Sequence, residues 1–263
     1  MSELFELDSS KKYDHQETRS LLADVRNFYQ SKLKIIIPEW ITPKASANQN
    51  ENSSIAEIFY IEKAAEPIYA ECNGYDDLNG ILRLFEERLN ELLDGLDHLL
   101  DNNSDMDDET RNSLESYADA IEKCGNVYGT QKRKRAAKFK ELSTVNELRE
   151  ELQQLFSEMI ARYIVVLFDA LYERIHNGAG PIYALVVKEI NTFLAANGVY
   201  TRMVSAGEKL DPEYMEPTPD SSENITEDFS KFDVIDEIRR YPYVFADDVK
   251  IADGLARIFR RKD

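Results

Sequence analysis

The sequence predicts a mainly α protein with a small C-terminal β domain, an α+β chain in which long helices form a bundle and a short-stranded β wing comes after them. Three features predict it. Apolar residues recur at three- and four-residue steps over long stretches between residues 55 and 196. Past Gly198 they give way to short β-branched and aromatic runs separated by turn residues. Glycine and proline mark the changes of period, at Gly178-Ala179-Gly180-Pro181 and at Asn197-Gly198.

Residues 1–54 read as an N-terminal helix and linker. Thr18–Leu33 carries Leu21, Leu22, Val25, Phe28 and Tyr29 on one helical face. The apolar run Lys34–Thr42 holds the lone Trp40 and reads either as a strap over a core or as an exposed partner anchor, and Pro43–Ser54 is a linker by composition. Residues 55–140 form a helical region. It begins with a helix from Ile55 to Cys72, kinked at Pro67. Asp76–Asp101 comes next, with a broad leucine stripe and two aspartates favouring its N-terminus. The acidic loop beyond it, with Asp101, Asp105, Asp107 and Asp108, lacks the spacing of a calcium loop and reads as a solvated cap. A helix from Thr110 to Lys123 is expected to stop at Cys124-Gly125. Six cations then fall between Lys132 and Lys140, either pairing with the chain's own carboxylates or offering a contact patch.

Residues 141–198 hold a long helix and a second bundle helix. Val145–Asn177 is the longest helical pattern, and at 1.5 Å per residue its ~33 residues would span about 50 Å. Ile182–Ala196 comes after it, with Ile182, Leu185, Val186, Ile190, Phe193 and Leu194 on one side and Gly198 as its stop. Residues 199–263 make the β wing: a strand at Val199–Val204, a turn at Ala206-Gly207, an Asp211-Pro212 turn, and a hairpin-forming tail.

The order helix, Gly198-Val199, strand, Leu210-Asp211-Pro212 resembles the GrpE family, the nucleotide exchange factors of DnaK-type chaperones. The resemblance covers roughly residues 145–262. Met215-Glu216 stands where the family carries His-Glu or His-Gln, Pro242 replaces the glycine before Tyr243, and Ala252 and Asp253 fill the step of the family arginine. Gly254, Ala256 and Ile258 occupy the small and apolar positions of the last family strand. The resemblance implies a cochaperone that binds the nucleotide-binding domain of a DnaK-type ATPase and promotes ADP release. The alternative is a helical adaptor or scaffold that reuses the fold without exchange activity. Gly198, Leu210, Asp211, Pro212 and Tyr243 match family motif positions and are expected to shape the wing, with Tyr243 packing the hairpin. Arg202, Arg239 and Arg240 are expected, with Tyr243, to contact the partner, since cations near an exposed hairpin suit an acidic chaperone surface.

The stretch LLDGLDHLL at 92–100 is similar to VLFDALYERI at 166–175, and each leads to a helix whose pattern stops at glycine. Residues 76–127 read either as a degenerate copy of the helical pair or as one more leucine-rich hairpin with no such relation, and the expected assembly is a homodimer or a single-chain pseudo-dimer.

Composition narrows the function classes. A formal charge of −18, from 50 acidic and 32 basic residues, repels phosphate backbones and makes nucleic acid an unfavourable partner. The two cysteines, Cys72 and Cys124, form no CxxC pair, and the N-terminus has no apolar signal core, so the expectation is a cytoplasmic protein. His15, His98 and His176 are scattered, and no nucleophile motif or phosphate loop occurs. No enzyme activity, cofactor or metal is expected.

Overall fold

The computed structural model describes residues 55, 57–63, 65–103, 106–178 and 180–261. The helix expected at Thr18–Leu33, the run with Trp40 and the linker Pro43–Ser54 lie outside the described residues, as does Asp105. Within them the chain is α+β: four long helical segments and then a small domain of short strands.

Helix α1 spans Tyr75–Asn102. Leu78, Ile81, Leu82, Phe85, Leu89, Leu92, Leu96 and Leu100 bury one face, while Asp76 and Asp77 sit in the first turn beside the free amides. Helix α2 spans Asp108–Glu141 and is capped by Asp107, whose carboxylate accepts from Thr110 N at 2.7 Å. It does not stop at Gly125. An interior glycine costs a helix only about 1 kcal/mol relative to alanine, and burial beyond it outweighs that. Tyr128 and Phe139 are both buried past Gly125, and the Tyr128 hydroxyl donates to Leu82 O at 2.7 Å. The basic segment is thus helical, and Gly125 marks no repeat boundary.

Helix α3, Val145–Met159, begins in a capping box: Thr144 accepts from Glu147 N, and Glu147 accepts in return from the Thr144 amide. A π turn, Ile160–Val165, separates it from α4, Leu167–His176. The expected 33-residue helix is therefore interrupted by a change of register. A π turn carries about one extra residue, which at 3.6 residues per turn rotates the faces of the next helix by about 100°. Before the turn, Phe156 stacks on Phe85 of α1 at 4.5 Å. After it, Phe168 stacks on Tyr243 of the β domain at 5.3 Å. Helix α5, Ile182–Ala196, completes the set. Within this one chain α1 packs on α2 and α5, α2 on α3 and the π turn, and α4 on α5.

The strands are β1 Val199–Thr201, β2 Met215–Pro217, β3 Ile225–Thr226, β4 Ile235–Arg240, β5 Tyr243–Phe245, β6 Lys250–Ala252, β7 Gly254–Ile258 and β8 Arg260–Arg261. They form three small sheets, ordered β1-β5-β6, β2-β7-β4 and β3-β8. β1 pairs antiparallel with β5, Val199 opposite Phe245, and β2 runs parallel to β7, Met215 opposite Gly254.

The expected helix from Ile55 to Cys72 is absent as such. Ile55, Glu57 and Ile58 are helical, residues 60–63 and 66–67 are neither helix nor strand, and a 3-10 turn spans Ile68–Glu71. Pro67 removes an amide and holds Glu66 out of the helical region. This part finds tertiary partners instead. Ile61 N donates to Thr201 Oγ1 at 2.9 Å, and Thr201 N donates to Ile61 O at 3.0 Å. Ile68 N donates to Asn197 O at 3.3 Å, and Phe59 sets its edge on Phe168 at 5.4 Å. This strap crosses the junction of bundle and β domain. Gly198, at φ +76°, turns beneath it.

Candidate interaction surface

The β domain is fixed to α4 by charge and ring contacts. Arg240 Nη1 meets the Asp169 carboxylate at 2.7 Å and its Nε donates to Asp253 O at 3.1 Å. Arg239 bridges Glu173 at 2.9 Å and Asp220 at 2.7 Å. The Tyr172 hydroxyl donates at 2.5 Å to Glu237, which is 4% exposed and lies 3.4 Å from Arg257. Burial, and then the bond to Glu237, push the Tyr172 hydroxyl pKa up. Burial also pushes the Asp169 carboxyl up, against the pull of Arg240.

These contacts place three of the residues expected at a partner in the joint between the β domain and the bundle. Arg239 and Arg240 are the bolts between wing and bundle, not cations on a free hairpin, because α4 carries Asp169 and Glu173 one turn apart beside β4. Tyr243 is fully buried against Phe168, and its hydroxyl has no hydrogen-bond partner among the described residues. It cannot touch a partner without unfolding β5. Reversing both arginines to glutamate would disturb the fold as well as any interface.

The other predicted residues lie around the turn that leaves β1. Arg202 is exposed; its guanidinium lies 3.8 Å over the Tyr214 ring and 3.8 Å from Asp211. Leu210 is half-buried and its amide donates to Asp233 O at 2.8 Å. Asp211 accepts from Glu213 N through its side chain at 3.0 Å and from Met215 N through its carbonyl at 2.9 Å, so Asp211-Pro212 forms a closed turn. Gly198 lies under the strap, where only glycine fits both the left-handed backbone and the close approach of Glu66 and Pro67.

One exposed feature escaped the sequence. Phe229, Ile225 and Met203 project from the β domain, Phe229 with 76% of its surface free. Their signal was an aromatic pair, Phe229 and Phe232, inside a polar turn-rich span. The basic segment of α2 divides in two. Lys132 pairs with Glu86, Arg135 with Glu151 and Glu158, and Lys138 with Glu151, clasping α2 to α1 and α3. Arg133, Lys134 and Lys140 are exposed on the outer side.

Among the described residues no group of three or more His, Cys, Asp and Glu side chains is placed to hold a metal. Cys72 and Cys124 are buried free thiols, and burial pushes Cys124 up to about 12, far from a reactive thiolate. Shallow depressions beside Arg174, lined by Glu109, Tyr117, Glu173 and Asn177, hold the Arg174–Glu109 ion pair across α2 and α4. Among the described residues no helix is long and apolar enough to cross a membrane. No protein-family model, curated protein or solved structure matches the chain.

Proposed function

We propose that the protein is a GrpE-like cochaperone, which binds the nucleotide-binding domain of a DnaK-type ATPase and promotes release of ADP. Such a protein makes and breaks no bonds. It binds the open form of its partner more tightly than the closed, ADP-holding form and so shifts the population towards release. That mechanism needs a rigid arm, because a compliant one would bend with the partner's closure. The observation that carries the reading is the junction. The β domain leaves the bundle at Gly198, under a strap, and is bolted to α4 through Arg239, Arg240 and the Tyr172–Glu237 bond.

A second reading, an adaptor on the same scaffold without exchange activity, is favoured by the occupation of Arg239 and Arg240 in internal ion pairs. One experiment separates the two. Release of a fluorescent ADP analogue from a DnaK-type chaperone of the same organism is monitored with and without the protein. Exchange activity predicts acceleration of about tenfold or more, roughly 1.4 kcal/mol off the barrier. Binding with an unchanged rate selects the adaptor, and the absence of binding removes both.

A further inference from the structure

We infer that α2 carries a docking face for a second copy of this chain, laid antiparallel along it so that the acidic half of each helix meets the basic half of the other. Charge along α2 is segregated. From Asp108 to Glu122 the helix has five carboxylates and one cation; from Lys123 to Lys140 it has seven cations and no carboxylate. Lys132, Arg135 and Lys138 are consumed by Glu86 of α1 and by Glu151 and Glu158 of α3, and Glu87 of α1 is held by Arg83. The charges left over include a row that faces outwards. Helix α2 lies outside residues 145–262, so this surface is no part of the GrpE resemblance, and the inference does not depend on the cochaperone reading.

Glu115, Asp119 and Glu122 stand four and three residues apart, which sets them on one helical face. The same alternating steps, carried on past Asn126 and Gly129, reach Arg133, Ala136 and Lys140. Every member of the row is exposed except Gly129, which is half-buried. Among the described residues its five charged members make no ion pair. Arg111, Lys123 and Glu141, whose signs run against their own half of the helix, lie off the row. The two ends cannot satisfy each other within the molecule. At 1.5 Å per residue Glu122 and Arg133 are about 16 Å apart along a rigid helix, and Glu115 and Lys140 about 38 Å.

The spacing of the row is the same read from either end. A copy turned end over end with Asn126 opposite Gly129 therefore sets Glu122 opposite Arg133, Asp119 opposite Ala136 and Glu115 opposite Lys140, each twice across the two-fold axis. A Cβ built on Gly129 meets no atom within 4 Å, so the space over the centre of the row is open to an approaching helix. A purely acidic partner would suit one half of the row and be repelled by the other, and a basic partner the reverse. The chain's charge of −18 opposes any self-contact, but at physiological salt that repulsion is screened beyond about 8 Å, and the paired rows lie closer than this. Exposed ion pairs are individually weak, so the complex is a reversible dimer and not an obligate one.

The test is sedimentation velocity on the full chain at about 10 µM and about 0.5 mM, in about 0.15 M salt. Wild type is expected to be monomeric at the lower concentration and to form dimer at the higher. Arg133→Glu with Lys140→Glu turns the basic half of the row acidic, and Glu115→Lys with Glu122→Arg turns two of the three carboxylates of the acidic half basic. Each double variant alone is expected to lose the dimer. An equal mixture of the two is expected to regain it as a heterodimer, at least tenfold tighter than either variant by itself, and the chain with all four reversals to regain the homodimer. The changed side chains are exposed, so thermal midpoints at the lower concentration stay as they were. A wild type that is monomeric at both concentrations overturns the inference. So does a dimer that persists in either double variant, which would place the contact elsewhere, and so does a mixture no tighter than its components, which would show that complementarity plays no part. Chaperone binding is read separately, so none of these results removes the cochaperone reading.

Discussion

Replacing Gly198 by alanine tests the junction of bundle and β domain. Two costs act together. At φ +76° an L side chain meets its own neighbouring carbonyl, a penalty of about 1 kcal/mol. The new Cβ would also lie 2.5 Å from Pro67 Cα and 2.6 Å from the Glu66 carbonyl carbon, and would overlap the Glu66 carbonyl oxygen. These are backbone atoms of the strap, so no rotamer change relieves the overlap. The strap must lift, straining the Ile68 N to Asn197 O bond and the Ile61–Thr201 pair. Overpacking of this kind costs about 1–3 kcal/mol. The sum is about 2–4 kcal/mol, or about 5–15 °C in Tm for a domain of this size. Gly207→Ala separates the two costs: φ is +92° there but a Cβ meets open space, so only the backbone cost of about 1 kcal/mol applies. Urea denaturation monitored by circular dichroism measures both variants. If Gly198→Ala loses no more than Gly207→Ala, the close approach of the strap plays no energetic part and the reasoning fails.

Two further perturbations probe the wing and the bundle. Tyr172→Phe removes the hydroxyl that donates to the buried Glu237 and should cost about 1.5–3 kcal/mol in the same denaturation assay, since a bond to a charged acceptor is lost. A loss below about 0.5 kcal/mol, the usual scale for surface changes, would mean that Arg257 and Arg239 alone satisfy the carboxylate. At the start of α3, Thr144→Ala should cost about 1 kcal/mol by loss of the cap. Amide donation from Ser143 and then Thr144 holds the Glu147 carboxyl below its ordinary pKa. Because the folded value is the lower one, this contribution is present above the unfolded pKa of about 4.3 and is lost as pH falls through the folded value. Glu147→Gln should therefore flatten part of the acid limb of stability below the unfolded pKa of about 4.3; an unaltered limb would show that the capping box does not hold in solution.

The elements most legible in the sequence were those whose pattern and packing agree. The leucine stripe of α1 marked its limits to within a residue or so, and the Gly198 stop and the switch to short strands came from local chemistry. Elsewhere tertiary contact overruled the local signal. Gly125 reads as a stop but sits inside α2, because Tyr128 and Phe139 bury beyond it. Ile55–Cys72 has helical spacing, yet the backbone groups of Ile61 and Ile68 pair with Thr201 and Asn197. The arginines failed for a related reason. A run of sequence shows that Arg239 and Arg240 are charged, but not that α4 will meet them with Glu173, 66 residues before the first, and Asp169, 71 residues before the second. The register shift of the π turn, which brings those carboxylates to face the wing, has no pattern of its own in the apolar run from Met159 to Leu171.

The strap also has a consequence for the birth of the molecule. Ile61 leaves the ribosome 140 residues before the threonine it pairs with, and Tyr69 178 residues before Asp247, whose carboxylate its hydroxyl meets at 2.8 Å. The bundle helices emerge in between and can associate as hairpins through nearby contacts. Phe59 can be covered once Phe168 and Tyr172 of α4 exist, but Ile61 must wait for Thr201 of β1 and Tyr69 for the residues around β5. During synthesis the nascent chain therefore displays apolar surface on the N-terminal side of its bundle while every helix of that bundle is being made, and the closing of that seam is the last step that its topology permits.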